Sequence, residues 1–503
     1  MTTENVEQYD VIIIGGGVNG TGIAADAASR GLSVYLCEQN DLASATSSNS
    51  SKLIHGGLRY LEHYEFKLVQ QALKEREVLL KNAPHIMHPL RFILPHQKHL
   101  RPAWMIRSGL FLYDNLSKRK TLSRSQAVRF TEYSPLVSSI KKGFEYSDGW
   151  VDDARLVVLN AMLAKEHNAV IENYTKCTHA QREDEGWRVE VTNTRDIDTS
   201  GTRTIQGKAL INAAGPWVSS LFDNIDNLKA PQQIRLVKGS HIVVPRIHDQ
   251  SDAYILQNAD GRIVFVLPYE TDFSLVGTTD VEHTGKPETV AIDDQEIEYL
   301  LQTSNDYFKH KIRREDIVHS YSGVRPLLDD ESVDAQKVTR DYTIEINWDN
   351  DKAPLLSVFG GKITTYRKLS EKLVDELAPR FPTMNPCQTS TLPLPGGDFG
   401  ERETLSKSIA TLYPYLPHSL IARYVRSYGT KTLALLGDVC SLEGMGTTFG
   451  ADLYQREVDY LIDNEWAKTD SDILWRRSKL GLRLSGSQQD TLKAYLATKV
   501  HSE

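Results

Sequence analysis

The chain reads as α/β plus α+β: a parallel sheet wound by helices, interleaved with a mixed or antiparallel sheet, then a small helical carboxy-terminal domain. Three observations predict this. A β-branched run at residues 11–14 (VIII) leads straight into a glycine turn, GGGVNG, and then a small-residue stretch with helical spacing. Short strand-like runs at 209–213, 241–245, 263–268 and 273–278 alternate with helical stretches such as Asp153–Glu166. At 392–397 the sequence breaks with LPLPGG, and the residues beyond it are mostly helical in pattern with few chemical motifs.

Taken in order, the 11–14 run is wholly apolar, as a strand buried on both faces of a parallel sheet must be. Residues 21–30 carry closely spaced alanines, which let a helix pack tightly on such a sheet. Gly31 ends that helix, and residues 32–37 form a second strand closing on Glu38. This is one βαβ unit of roughly 30 residues. A helix over 293–309 separates two groups of strands, and another over 366–377 follows a second glycine turn, FGGKITT. The first sheet domain is expected to be discontinuous, roughly 1–90, 145–225 and 320–390. It encloses a second domain of roughly 91–144 and 226–319, and the helical domain takes 391–503.

At 503 residues the chain is too long for one compact core. A net charge of -8 argues against a protein built as a whole to hold nucleic acid. Cys37, Cys177, Cys387 and Cys440 are scattered, without the spacing of a metal site or a disulfide framework. Residues 1–10 are polar and acidic, unlike a secretory leader, and no apolar run reaches the ~18 residues of a membrane span. The expectation is a cytoplasmic protein able to rest on a membrane surface.

Gly15-x-Gly17-x-x-Gly20 would be a weak signal alone, but here a strand precedes it and a helix comes after. Glu38 ends the next strand about 20 residues on, where a carboxylate accepts hydrogen bonds from a ribose. Gly15 permits the tight turn, Gly17 lets backbone approach a pyrophosphate, and Gly20 allows close helix–strand packing. The Rossmann-like fingerprint leaves NAD and FAD equally open. Beyond it come DLASATSSNSS (41–51), small and hydroxyl-rich, and SSKLIHGGLRY (50–60), where two glycines sit among a lysine, a histidine and an arginine.

The stretch from GGGVNGTGIAADAASRG to LIHGGLRYLEHYEF resembles the amino-terminal signature of the FAD-dependent, quinone-linked glycerol-3-phosphate dehydrogenases. These lie within a wider group that includes D-amino acid oxidase and glycine oxidase. The similarity continues through WVDDARL (150–156), NAAGPWV (212–218), KGSHIVVP (238–245), GTTD (277–280), YSGVRPL (321–327) and FGGKITTYRKL (359–369). It covers most of residues 10–370.

The resemblance implies an extended FAD, its adenine end on Gly15, Gly16, Gly17, Asn19, Gly20 and Glu38. Thr46, Ser47, Ser48, Lys52, Leu53 and His55 are then expected beside the pyrophosphate and ring edge. Gly56 and Gly57 would leave bare backbone for the flat ring. Ala214, Gly215, Thr279, Gly323, Gly361, Lys362 and Thr364 complete the expected cofactor site. A helix start after Gly361 would favour the negative charge that reduction places on the ring.

A phosphate-ester substrate needs at least two cations, preferably arginines, whose fork matches phosphate oxygens. Arg59 and Arg325 are the expected anchors, with Tyr60, Arg340 and Lys362 beside them. The implied reaction takes sn-glycerol 3-phosphate to dihydroxyacetone phosphate, with hydride passing from C2 to flavin N5 and a base taking the hydroxyl proton. His241 is the first choice of base because imidazole titrates near neutrality, and His55 is the alternative. Arg59 and Arg325 are assigned to catalysis with it.

The family hands its electrons to membrane ubiquinone and suggests a homodimer on the inner face of the cell membrane. Residues 98–120 (KHLRPAWMIRSGLFLYDNLSKRK) place an apolar centre between basic ends, the pattern of a helix lying among anionic headgroups. A buried core helix with basic flanks reads the same way. Two other functions stay open from the motifs. One is an oxidase that gives its electrons to oxygen and releases peroxide; the other is a flavin-fold protein that binds a ligand or RNA without turnover.

Overall fold

The computed structural model describes residues 7–195, 201–328, 342–348 and 352–500. Among these, the first sheet runs in the order Tyr342–Asn347, Leu355–Gly360, Arg203–Asn212, Glu7–Ile14, Val34–Cys37, Val170–Glu172. All neighbours are parallel except the edge strand Tyr342–Asn347. An antiparallel pair, Thr175–Arg182 and Trp187–Asn193, is appended to the first half of Arg203–Asn212. Val11, Ile12 and Ile13 are fully buried, as an all-apolar central strand requires.

Helix Val18–Ser29 lies on this sheet and packs against helices Asp153–Glu166 and Tyr366–Asp375. Its closeness is set by missing side chains. A Cβ on Gly20 would sit 1.9 Å from the Gly15 carbonyl oxygen, and one on Gly22 would sit 2.6 Å from the Tyr366 ring. The helix begins at Val18, three residues before the alanine pattern, because the glycine turn itself is already helical there.

The second sheet has ten strands and is antiparallel except where Ala253–Gln257 meets Met87–Pro95. Its order is Val281–Glu282, Ile234–Pro245, Phe273–Gly277, Ile263–Tyr269, Ala253–Gln257, Met87–Pro95, Lys142–Val151, Leu53–Ile54. His319–Leu328 pairs with the free side of Ile234–Pro245, and Gln126–Arg129 pairs with Lys142–Val151. Helix Asp294–Tyr307 covers one face behind a capping box: Asp293 accepts from Glu296 N at 2.9 Å, and Glu296 accepts from Asp293 N at 3.0 Å. Leu53–Ile54, Lys142–Val151 and His319–Leu328 all belong to this sheet, so the two sheets do not divide at residues 90, 145 and 320. Short apolar strands carry no mark of which distant strand they will pair with.

The carboxy-terminal helices Arg402–Leu412, His418–Tyr428, Gln455–Glu465 and Gly486–Val500 build a core of their own around Leu420, Tyr424, Leu461 and Leu492. They are fastened to the rest of the chain by buried ion pairs. Arg477 donates to both oxygens of Asp41 at 2.5 and 2.8 Å, Arg155 Nη2 reaches Glu465 at 2.9 Å, and Lys479 pairs with Asp152. Stripping one partner from a buried pair of this kind costs about 3–5 kcal/mol, so this domain is docked rather than tethered.

Candidate active site

A cavity of about 1200 Å³ runs between the two sheets. It begins at the turn between Glu7–Ile14 and Val18–Ser29, where Gly15 takes φ +116° and a Cβ would lie 2.5 Å from the Ala213 carbonyl oxygen. Glu38 stands at this end. Its carboxylate accepts from Gly16 N at 2.7 Å and from Asn40 N at 2.9 Å. Removal from water nevertheless pushes its pKa above the ordinary carboxylate value. The hydroxyl-rich loop comes next: Ser47 Oγ accepts from Val18 N at 3.0 Å, and Thr46 Oγ1 donates to the Val324 carbonyl at 2.7 Å. Asn19 donates to the Gly360 carbonyl at 3.3 Å, while its buried Oδ1 has no hydrogen-bond partner among the described residues.

The other end is built on two neighbouring antiparallel strands, Ile234–Pro245 and His319–Leu328. His241 lies opposite Tyr321, Gly239 opposite Gly323, and Val237 opposite Arg325. Alternate residues share a face, so His241, Tyr321 and Arg325 project together, separated by a glycine pair. His241 stacks on Tyr321 with centroids 4.8 Å apart and shares a hydrogen bond of 2.9 Å between Nε2 and Ser51 Oγ. Its Nδ1 is buried without a partner among the described residues. Burial, with the Arg325 and Lys52 cations, holds its pKa well below the usual imidazole value. At neutral pH it is therefore uncharged, the form a base requires. Gly277 is a spatial necessity, since a Cβ there would come within 2.2 Å of the imidazole.

Arg325 also faces the cavity, in an ion pair with Asp280 and 3.4 Å from Thr278 Oγ1. Two partners leave it N–H groups to spare. Arg59, Tyr60 and Lys362 line the same cavity, with Lys362 Nζ 3.8 Å from the Tyr60 ring centroid. Leu53, His55, Gly57, Ala214, Gly215, Gly323, Gly361 and Thr364 line the cavity too. Thr364 Oγ1 bridges to the His55 backbone at 3.3 Å, joining the two glycine loops.

Six expected cofactor residues lie behind this wall. Gly16 and Gly20 set the turn and the helix packing. Lys52 does not line the cavity: its Nζ is buried on Asp153 at 2.7 Å and on the Ser48 carbonyl at 3.0 Å. Ser48 contributes that carbonyl from outside the lining. Gly56 offers no floor for a ring, because a Cβ there would strike Leu73 and Tyr113 in the core; Gly57 alone of the pair faces the cavity. Thr279 is buried on Ser240 N and Glu296. Arg340 lies outside the described residues. In turn, sequence reasoning passed over Gly239, Tyr321, Thr278 and Asp280, while Ser51, expected at the cofactor, hydrogen-bonds His241 instead. The spacing of glycine two residues before His241 and before Arg325 was the available signal, for it puts each pair on one face of its strand.

Residues 10–367 match the family model described as FAD dependent oxidoreductase. The chain belongs to the FAD-dependent oxidoreductase family. FAD is its cofactor, and residues 387–497 match a second model, the C-terminal domain of alpha-glycerophosphate oxidase. Similar proteins include the aerobic glycerol-3-phosphate dehydrogenase of Escherichia coli (strain K12), 54% identical over 98% of each chain. The D-erythritol 1-phosphate dehydrogenase of Brucella abortus (strain 2308) is 49% identical over 96% of each. Among solved structures, the glycerol-3-phosphate dehydrogenase from Bacillus halodurans complexed with FAD superimposes with a TM-score of 0.73. It is 26% identical, covering 99% of this chain and 95% of that one.

The cavity fits the family's cofactor on its own terms. Its glycine turn has no room for a Cβ at Gly15 or Gly16, the helix start and hydroxyl loop offer donors to a pyrophosphate, and the orphan Asn19 Oδ1 could accept from a hydroxyl of the cofactor. Glu38 would take the ribose.

Proposed function

We propose that this FAD-dependent oxidoreductase oxidises sn-glycerol 3-phosphate at C2 to dihydroxyacetone phosphate and passes the electrons to ubiquinone. One observation carries the reading: His241, uncharged and buried, lines the same cavity as Arg325, on the face that the paired Gly239 and Gly323 share. Bound FAD supplies the acceptor for a hydride, that is, for the two electrons and one proton leaving C2. His241 takes the hydroxyl proton, so the alcohol carbon becomes a carbonyl with charge in balance. Arg325, Arg59 and Lys362 hold the phosphate dianion, and Tyr60 keeps Lys362 over its ring. Arg340 keeps its expected role as a further anchor, outside the described residues.

The remaining partners rest on the helix Ala103–Asn115. The expected 98–120 stretch is helical only there, and its apolar residues split between two faces. Leu110 and Tyr113 are buried, with Tyr113 Oη accepting from Gly56 N at 2.9 Å. Trp104 and Phe111 are 69% and 63% exposed. Both sequence readings thus describe one side of the same helix, and the outer side supports peripheral contact with the inner membrane. No helix among the described residues is long and apolar enough to cross a membrane. Self-association as a homodimer follows from the resemblance and is tested by sedimentation.

A longer phosphorylated polyol is a second reading, favoured by the identity with the D-erythritol 1-phosphate enzyme. Steady-state kcat/KM with glycerol 3-phosphate and erythritol phosphate ranks the substrates. Quinone-analogue reduction should exceed peroxide release; the reverse result would make the protein an oxidase.

A further inference from the structure

We infer that Trp475, from the carboxy-terminal domain, is a positioning residue for His241, acting through two stacked ring pairs joined by a tilted ring contact. The inference rests on His241 being the base. Trp475 lies flat on His319, centroids 4.0 Å apart and planes 14° apart. His319 and Tyr321 are two residues apart on one strand, with centroids 6.4 Å apart, and Tyr321 stacks in turn on His241. The column therefore runs from the carboxy-terminal domain to the proposed base without leaving ring contact.

Local structure supports a built arrangement. Trp475 sits in a single π-helical turn, Asp472–Arg477, an irregularity that concentrates at functional sites. Gly481 makes room for it, since a Cβ there would lie 2.6 Å from the indole. The residues that follow the turn are pinned to the catalytic half at two points. Lys479 pairs with Asp152, whose neighbour Asp153 holds Lys52 beneath Tyr321. Arg483 reaches Asp272 at 2.7 Å and lies over the Phe273 ring, at the start of the strand that carries Gly277 to His241. The charged and titratable groups around the column are Lys52, Arg325 and Tyr321 at His241, Lys52 at His319, Lys52 and Asp153 at Tyr321, and Tyr269 and Lys479 around Lys52.

The role comes from the geometry of stacking. Only Ser51 holds His241 by a hydrogen bond among the described residues, so the plane of its imidazole is set by Tyr321. Tyr321 is fixed at its tip by donating to the Ser50 carbonyl at 2.9 Å, and the outer end of the column is closed by Trp475. Without the indole, water enters behind His319 and the imidazole tilts and rehydrates.

The test uses the full-length FAD-loaded enzyme. Trp475→Leu should keep its FAD and lose about 10- to 100-fold in kcat/KM, mostly in kcat. The acid limb of its pH profile should move upward, because a rehydrated imidazole gains protons at higher pH and stops acting as a base. Trp475→Phe, which keeps a ring, should restore both. Glu465→Gln, which breaks the Arg155 pair and weakens domain docking elsewhere, should lower the melting temperature and leave the pH profile in place. His319→Leu breaks the same column from the other side and should reproduce the shift if Trp475→Leu does not fold. Unshifted profiles in the leucine variants, with His241→Asn inactive, would overturn the inference while leaving His241 as the base. A fully active His241→Asn would overturn both.

Discussion

Lys52→Met tests whether the lysine of the glycine loop is structural or a cofactor ligand. Lys52 is 2% exposed and Asp153 is fully buried, and their charged atoms are 2.7 Å apart. Removing the ammonium leaves a buried carboxylate. Breaking one side of a buried pair costs about 3–5 kcal/mol. Asp153 still accepts from Ser50 N and Oγ and from Ala154 N, which sets the loss near the lower end, about 3 kcal/mol. At about 2 °C per kcal/mol for a large domain, the melting temperature falls by ~6 °C. Adding Asp153→Asn removes the stranded charge and should recover most of the loss. The Lys52 pKa is raised well above its ordinary value by Asp153 against the cost of burial. Its contribution is therefore complete below pH ~10.4 and fades only above that, so the deficit is constant between about pH 6 and pH 9. The assay is urea unfolding of wild type, both single variants and the double, with flavin release as a second probe. A deficit under about 1 kcal/mol, or FAD lost without any change in stability, would refute the buried-pair account.

Four further outcomes rest on the same geometry. His241→Asn should lower kcat by about 10²–10⁴-fold with FAD content and melting temperature nearly unchanged, measured by quinone-analogue reduction. Gly20→Ala should purify colourless, since its Cβ would meet the Gly15 carbonyl oxygen at 1.9 Å. Burial pushes His85 and His88 down to about 3, against about 6.5 in the unfolded chain, so each stabilises fully above pH 6.5. That stability is lost as pH falls toward 3, about 2 kcal/mol apiece by pH 5, and His85→Phe should flatten the measured slope by one proton. Trp104→Asp with Phe111→Asp should abolish co-sedimentation with anionic vesicles while changing stability by no more than about 0.5 kcal/mol.

The first βαβ unit was legible because every glycine in it answers a local demand. Gly15 needs a positive φ, Gly20 needs a bare helix face, and Glu38 needs only to end its strand. The far end of the site was not. His241 and Arg325 carry matching glycines two residues before them, yet nothing local states that their strands, some eighty residues apart, pair in the register that brings Gly239 to Gly323. Lys52 misled for a related reason: among serines and glycines a lysine resembles a phosphate ligand, and its true partner, Asp153, is remote in the chain. Gly56 likewise reads as cofactor floor until Tyr113 arrives from helix Ala103–Asn115. The carboxy-terminal domain was silent because Arg476 and Arg477 look like surface cations until they bury themselves on Asp41.

Anaerobic addition of sn-glycerol 3-phosphate to the purified yellow enzyme, with flavin absorbance recorded, tests the central claim most directly. The oxidised-flavin band should bleach fully with one equivalent of substrate per flavin, while glycerol and an amino acid leave it intact. A band untouched by glycerol 3-phosphate, or bleached as readily by the amino acid, would contradict the account.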